Sequence, residues 1–170
     1  MSNNTANTVN TTNNETMLKE IDLIQSCIKR MGQNSFMVKG WALTLNGLVM
    51  GVLSDKGNPL VTQIICMISI FCFWGLDAFF LRTEKLYRWK YEWVIKRRSS
   101  TMDYAYDLDP YNENMWLDIK LKNGNTKKRK KPCIPRMMIT KTLWPMYITL
   151  LLTNVALIIY YFLSNAQLTP

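Results

Sequence analysis

The stretch Leu60-Val-Thr-Gln-Ile-Ile-Cys-Met-Ile-Ser-Ile-Phe-Cys-Phe-Trp-Gly-Leu-Asp77-Ala-Phe-Phe-Leu81 determines the environment in which this chain folds. It comprises 22 consecutive residues with a single formal charge, at Asp77. At about 1.5 Å of rise per residue, a helix of that length crosses about 30 Å of hydrocarbon, and it is longer than an ordinary core helix. The chain is therefore predicted to be a membrane protein.

Two further apolar runs extend this prediction to three spans. Residues 142–163 carry no charge, and residues 35–53 are interrupted only by Lys39. The predicted fold is an all-α membrane protein with three transmembrane helices, an N-terminal amphipathic helix and a small cytoplasmic insert that contains short β structure. The predicted segments are a disordered tail at 1–16, the amphipathic helix at 17–34, spans at 35–53, 60–81 and 142–163, a cytoplasmic continuation of the second span to about 98, and the insert at 99–136.

The segments outside the predicted spans are small, and this size predicts assembly. The insert has about forty residues, fewer than usually suffice for an independent hydrophobic core. We therefore expect a homo-oligomer. The tail at 1–16 is rich in Asn and Thr, lacks the pattern of a signal peptide and buries too little apolar area to be ordered.

The amphipathic segment has apolar residues at intervals of three and four, which is the helical period. This face is expected either to lie on the membrane or to pack against the helix that leaves the second span. Its apolar positions are Leu18, Ile21, Ile24, Cys27, Ile28 and Met31.

The residue types argue against an enzyme. The chain contains no histidine, which removes the usual general base and the commonest metal ligand. Its four cysteines form no CxxC pair, so we interpret them as apolar residues and expect neither a disulfide nor a zinc site. We expect no catalytic residue, no metal and no cofactor.

The positive charges predict the orientation. Of the 21 Lys and Arg residues, only Lys56 lies in the connection 54–59, and none follows Lys141. Cytoplasmic loops of membrane proteins are enriched in Lys and Arg. The N-terminus and the insert are therefore predicted to be cytoplasmic, and the connection 54–59 and the C-terminus external.

Several polar or small residues lie within the predicted spans. Asp77 is interpreted either as half of a structural ion pair, with Lys39 or Arg82, or as part of a carboxylate ring at the inner mouth of a cation channel. Asn46 and Asn154 are expected to form hydrogen bonds between helices. Gly47 and Gly51 form a GxxxG pair, which indicates helix packing, although a pore lined by small residues would use the same stripe.

The insert combines a predicted strand with a strong positive charge. Alternation through Leu117, Ile119 and Leu121 predicts the strand, and Asn123-Gly124 predicts a turn. The five cations Lys127, Lys128, Arg129, Lys130 and Lys131 follow, and Arg97 and Arg98 end the long helix. These seven are the candidate ligand-binding residues, and their charges are expected to be unmatched. Three interpretations stay open: attraction to anionic lipid, enforcement of topology, and phosphate binding to a nucleotide or oligonucleotide. For the third, the aromatic residues available to stack on bases are Tyr104, Tyr106, Tyr111 and Trp116.

Four motifs together resemble a family of small bacterial three-span membrane proteins. They are Lys39-Gly-Trp-Ala-Leu-Thr-Leu, Phe73-Trp-Gly-Leu-Asp-Ala-Phe-Phe-Leu-Arg-Thr-Glu-Lys-Leu-Tyr-Arg88, Ser-Thr-Met-Asp-Tyr104 and Thr140-Lys-Thr-Leu-Trp-Pro-Met-Tyr147, within a resemblance that covers most of 33–163. Such proteins look like the membrane effectors of anti-phage defence operons, similar to the Hailong channel effectors encoded beside nucleotidyltransferases.

The resemblance implies an oligomeric ion channel of the bacterial inner membrane. It further implies a cytoplasmic crown that binds an oligonucleotide made by a partner nucleotidyltransferase, with ligand loss opening the channel and causing abortive infection. No individual binding residue is carried over. The alternative is a non-conducting membrane subunit that anchors or recruits a soluble partner through the basic insert.

The predicted orientation is tested by labelling single cysteines in a background free of other cysteines. A cysteine at Ser54 is expected to react with an impermeant maleimide added to intact spheroplasts, because the connection 54–59 is predicted to be external. A cysteine at Asn125, in the predicted cytoplasmic insert, serves as the control and should stay unlabelled. The opposite labelling pattern would reverse the predicted topology.

Overall fold

Helices dominate the computed structural model, which describes residues 2–53, 58–120 and 124–166. Helix α1 runs over Ser2–Leu53, α2 over Pro59–Arg97, α3 over Ile134–Met138 and α4 over Trp144–Ala166. A 3₁₀ turn at Glu113–Met115 and the two short strands β1, Ile119–Lys120, and β2, Thr126–Lys127, lie between α2 and α3. The chain divides into a first unit, 1–32 with 82–132, and a second unit, 33–81 with 133–170.

Two helices, α2 and α4, are long and apolar enough to cross a membrane within the part of the chain that the structure describes. Only 28% and 11% of their most apolar windows are buried inside the protein, whereas the core helix of a soluble protein is mostly buried. The sequence predicted that the second span would continue as a helix beyond Leu81, and α2 does continue to Arg97. The third span, at 35–53, is not among these helices and stays a prediction.

The start of α1 differs from the predicted disordered tail. The backbone is helical from Ser2, so the tail, the amphipathic segment and the segment 35–53 all belong to one helix. The prediction rested on composition, since Asn and Thr are poor helix formers. Once a helix has formed, it extends by fixing one residue at a time and needs no new nucleus. Residues of low helix propensity can therefore be helical where they adjoin a stable helix.

Cores of the two units form separately. In the first unit, Ile24 of α1 packs with Trp93 and Val94 of α2 and with Met115. Ile21 and Ile28 border this core, so this part of the predicted apolar face packs against the later part of α2, whereas Leu18 is 61% exposed. Of the two interpretations, the structure agrees with packing against α2 and not with a face that lies on the membrane.

The second unit is built around aromatic packing between α2 and α4. The rings of Trp74 and Tyr147 stack with centroids 5.7 Å apart. Trp74 Nε1 also donates to the carbonyl of Met138, at 3.0 Å, which ties the end of α3 to α2. The remaining buried members of this core are Ala42, Ile70, Ala78, Met137 and Leu143.

The predicted strand pairs in a small antiparallel hairpin. Ile119 lies opposite Lys127, and Lys120 lies opposite Thr126. Gly124 has a φ of 77°, a left-handed conformation that glycine adopts without strain. The other predicted turn residue, Asn123, and Leu121 lie outside the described residues.

Among the described residues, no other helix packs against Gly47 or Gly51. A Cβ atom built at either position would meet nothing within 4 Å. The predicted helix packing therefore has no partner within the described part of this chain, and the stripe faces outward.

Candidate functional sites

An ion pair with two hydroxyl partners lies in the second unit, around Asp77. The Asp77 carboxylate is fully buried, and its Oδ2 lies 2.7 Å from Lys39 Nζ. Tyr147 donates its hydroxyl to the same oxygen at 3.1 Å, and Ser35 donates to Oδ1. Lys39 Nζ also donates to Ser35 Oγ, at 2.8 Å. Helices α1, α2 and α4 thus each contribute to one hydrogen-bonded network.

This network favours the structural ion pair among the two interpretations of Asp77. The predicted pair with Lys39 is confirmed. A carboxylate ring that attracts cations needs negative charge without a fixed counterion, whereas Lys39 neutralises this carboxylate at contact distance. Nothing in the sequence pattern singled out Ser35 or Tyr147 as a partner of Asp77. A usable signal for Ser35 was its position one helical turn before Lys39.

Asn46 and Asn154 do not form the expected hydrogen bonds between helices. Each amide donates to the carbonyl four residues earlier in its own helix, Asn46 to Ala42 and Asn154 to Leu150, both at 2.8 Å. Each amide oxygen is buried without a donor, and the same holds for Oε1 of Gln63. Within the described part of the chain the prediction was wrong, because the carbonyl four residues earlier in the same helix competes as an acceptor with groups on a neighbouring helix. Three acceptors within the predicted spans are left unsatisfied.

A second buried ion pair holds the first unit together. Arg98 is fully buried, and its Nε and Nη2 donate to the two carboxylate oxygens of Glu20, at 2.5 and 2.8 Å. Its guanidinium also lies over the ring of Trp93, 5.3 Å from the centroid. A bidentate pair of this kind fixes both distance and orientation, so it sets the register of α1 against α2 in this unit.

The same pair fixes the loop that follows α2. Arg98 donates to the carbonyls of Asp103, at 2.7 Å, and Tyr104, at 3.2 Å, while Glu20 accepts from the backbone N–H of Tyr106 at 2.6 Å. Tyr104 and Tyr106 have φ angles of 57° and 59°, which bulky residues seldom adopt. The hydrogen bonds to the ion pair therefore hold this loop in a strained conformation.

Arg98 consequently leaves the set of predicted ligand-binding residues. We expected its charge to be unmatched, and that expectation was wrong because Glu20, 78 residues away in sequence, neutralises it. No local pattern could reveal this partner. Arg97, in contrast, is exposed.

A further ion pair, between Lys90 and Asp107, holds a later part of the loop that follows α2. The buried Lys90 Nζ lies 3.2 Å from Asp107 Oδ1 and donates to the carbonyl of Asp109 at 2.9 Å. Burial lowers the pKa of Lys90, and the nearby Asp107 opposes this shift. Burial raises the pKa of Asp107, but hydrogen bonds from Asn112 and the Asp109 backbone, together with the charge of Lys90, outweigh it and lower the pKa overall.

One of the five cations of the basic run, Arg129, has a carboxylate partner. Lys127, Lys128, Lys130 and Lys131 are exposed, and no carboxylate pairs with them among the residues that the structure describes. Arg129 is different, because its Nη2 lies 2.6 Å from Glu92 Oε2. The prediction of five uncompensated cations was therefore wrong for Arg129.

The aromatic residues expected to stack on bases differ in accessibility. Tyr104 and Tyr106 are 45% and 49% exposed, which leaves a ring face accessible. Trp116 is buried, and its Nε1 donates to the carbonyl of Pro110 at 3.2 Å. Trp116 is thus a core residue of this unit.

Comparisons with known proteins identify no relative. No protein-family model, curated protein or solved structure matches the chain. Within the described residues, no group of three or more Cys, Asp or Glu side chains is arranged to hold a metal ion.

Replacing Asp77 tests the network in the second unit. Asp77→Asn keeps the volume but leaves Lys39 without a counterion, so the variant is expected to lose about 3 kcal/mol of stability. The measurement is denaturant unfolding of the purified protein in detergent. Asp118→Asn removes an exposed carboxylate and serves as the control. A stable Asp77→Asn protein with an altered reversal potential would instead favour the carboxylate ring.

Replacing Glu20 tests the pair in the first unit. Glu20→Gln leaves the buried Arg98 charge unpaired and should destabilise this unit by about 3–5 kcal/mol. Chymotrypsin cleavage after Tyr104 and Tyr106 should then accelerate, because the loop loses its anchor. Glu15→Gln, an exposed change on the same helix, should leave cleavage unchanged. Equal cleavage of the Glu20 variant and the wild type would contradict the anchoring role.

Proposed function

We propose that this chain forms an oligomeric ion channel in the bacterial inner membrane and acts as an effector of anti-phage defence. In this proposal a nucleotide or single-stranded oligonucleotide, made by a partner nucleotidyltransferase, binds on the cytoplasmic side and gates the channel. Conduction depolarises the cell and arrests its growth. The chain has three spans, a cytoplasmic N-terminus and an external C-terminus, and it catalyses no reaction.

The observation that carries the proposal is the set of three buried amide oxygens without donors, on Asn46, Gln63 and Asn154. Each of the three predicted spans contributes one of them. An unpaired polar group in hydrocarbon is costly, and water or a cation in a conducting path would remove that cost. At these three residues only acceptor oxygens are unsatisfied, and no donor is. Acceptor oxygens attract cations, so this set favours a path for cations.

The surface of the segment 35–53 supports both a third span and an oligomer. Large apolar side chains are exposed along it, with Phe36 at 77%, Trp41 at 58% and Leu48 at 62%. A contiguous apolar surface requires lipid or a neighbouring subunit. The open stripe of Gly47 and Gly51 would allow a second copy to approach closely.

The gating ligand is assigned to the exposed cations Lys127, Lys128, Lys130, Lys131 and Arg97. Oligomerisation repeats them around the channel axis and raises the local positive potential, which attracts a polyanion. The exposed rings of Tyr104 and Tyr106 would provide stacking surfaces for bases. Asp77 takes no part in conduction in this proposal, since Lys39 neutralises it.

Planar bilayers test conduction and gating in one preparation of the full chain. The wild type is expected to conduct, and a single-stranded oligonucleotide on the side of the insert should change that conductance. Lys127→Gln/Lys128→Gln/Lys130→Gln should conduct but lose the response, because each phosphate contact contributes a salt-dependent share of affinity, with a log–log slope of about −0.7 per phosphate.

A variant with the same loss of charge serves as the control. Lys19→Gln/Lys29→Gln/Lys141→Gln removes three exposed lysines outside the basic run and should respond as the wild type does. A folded protein that never conducts would favour the non-conducting anchor. If the basic-run variant conducts and still responds to the oligonucleotide as the wild type does, the ligand does not bind to this run.

A further inference from the structure

Two cations lie against one aromatic ring in the first unit. The guanidinium carbon of Arg82 lies 5.8 Å from the centroid of the Tyr111 ring, and Lys131 Nζ lies 4.2 Å from it. Neither cation pairs with a carboxylate among the described residues. The ring attracts each cation, but it leaves their mutual repulsion uncompensated.

A second ring of the same unit repeats this arrangement. Lys85 Nζ lies 5.7 Å and the guanidinium carbon of Arg129 lies 5.0 Å from the ring of Trp89. Glu92 neutralises only Arg129. Lys85 thus adds a third positive charge without a carboxylate partner in the described part of the chain.

The two rings are connected through Trp116. Trp89 packs edge-on against Trp116 at 5.4 Å, and Trp116 binds the carbonyl of Pro110, the residue before Tyr111. Arg82, Lys85 and Trp89 follow each other on α2 at intervals of three and four residues, which places them on one face. We call the set Arg82, Lys85, Trp89, Tyr111, Arg129 and Lys131 the cationic ring surface.

Two donors in this surface are buried and have no acceptor. They are Nε of Arg82 and Nη1 of Arg129. A buried N–H of a charged group without an acceptor costs more than a lost neutral hydrogen bond. An anion with several oxygens would accept from these donors and offset the repulsion between the cations, and a phosphate group meets both requirements.

The position of the surface along α2 indicates where this phosphate comes from. Arg82 directly follows Leu81, the last residue of the apolar run, and Lys85 lies about 4.5 Å beyond Arg82 along the helix axis. The headgroup region of a bilayer occupies this depth, and Trp and Tyr are enriched there. We propose that the cationic ring surface binds the headgroup phosphate of an anionic phospholipid. This ligand comes from the bilayer, so the proposal goes beyond gating by a soluble ligand.

Native mass spectrometry of the full chain in detergent tests this proposal with dioctanoyl phosphatidylglycerol as the probe. The wild type should retain this lipid, and it should retain dioctanoyl phosphatidylcholine less well. Arg82→Gln/Lys85→Gln should bind phosphatidylglycerol at least tenfold more weakly, since each cation near the surface contributes about fivefold. Lys131→Gln changes an exposed side chain, so it reports on the same surface, with an expected loss of about fivefold, if the double variant does not fold.

The control variant is Arg88→Gln/Lys96→Gln, which removes two exposed charges from the same helix outside the surface and should bind as the wild type does. Equal affinity for the two lipids, or equal loss in the control and test variants, would overturn the proposal. Displacement of the lipid by an equal concentration of inorganic phosphate would identify a soluble ligand and would overturn the lipid assignment. None of these outcomes depends on whether the protein conducts.

Discussion

Buried opposite charges set the register of α1 and α2. In the first unit the acid Glu20 lies on α1, and the base Arg98 directly follows the end of α2. In the second unit the order is reversed, with the base Lys39 on α1 and the acid Asp77 on α2. Apolar side chains tolerate small shifts between helices, whereas a buried charge that loses its partner is strongly destabilising. Each pair therefore allows one alignment of the helices within its own unit.

The hydrogen bonds around these pairs extend their influence beyond the two helices. Asp77 also binds Tyr147, so α4 is positioned by the same carboxylate that pairs with Lys39. Glu20 and Arg98 bind the backbone of the loop after α2 and hold it in a strained conformation. The loop lacks regular structure over 101–110, so its shape depends on these contacts and on those of Lys90.

The sequence predicted the helices and the strand that arise from a pattern within their own segment. The apolar run before Arg82 predicted α2, the uncharged run 142–163 predicted α4, and alternation around Ile119 predicted the strand. Lys39 was a predictable partner of Asp77, since both lie at a similar expected depth. The pair of Glu20 and Arg98 was not predictable, because nothing within either segment indicates a partner 78 residues away. The helical start of α1 was missed for a related reason, since a stable neighbouring helix outweighed poor local propensity.

The pairing of Lys39 with Asp77 has a consequence for biosynthesis along the proposed three-span path. Synthesis proceeds from the N-terminus, so Lys39 is made before the carboxylate that neutralises it. A lone charge in the bilayer is expensive, whereas two opposite charges in contact enter as a neutral group. The first two spans would therefore enter the membrane together as a helical hairpin, and α4 would follow when Tyr147 completes the hydrogen bonding of the carboxylate.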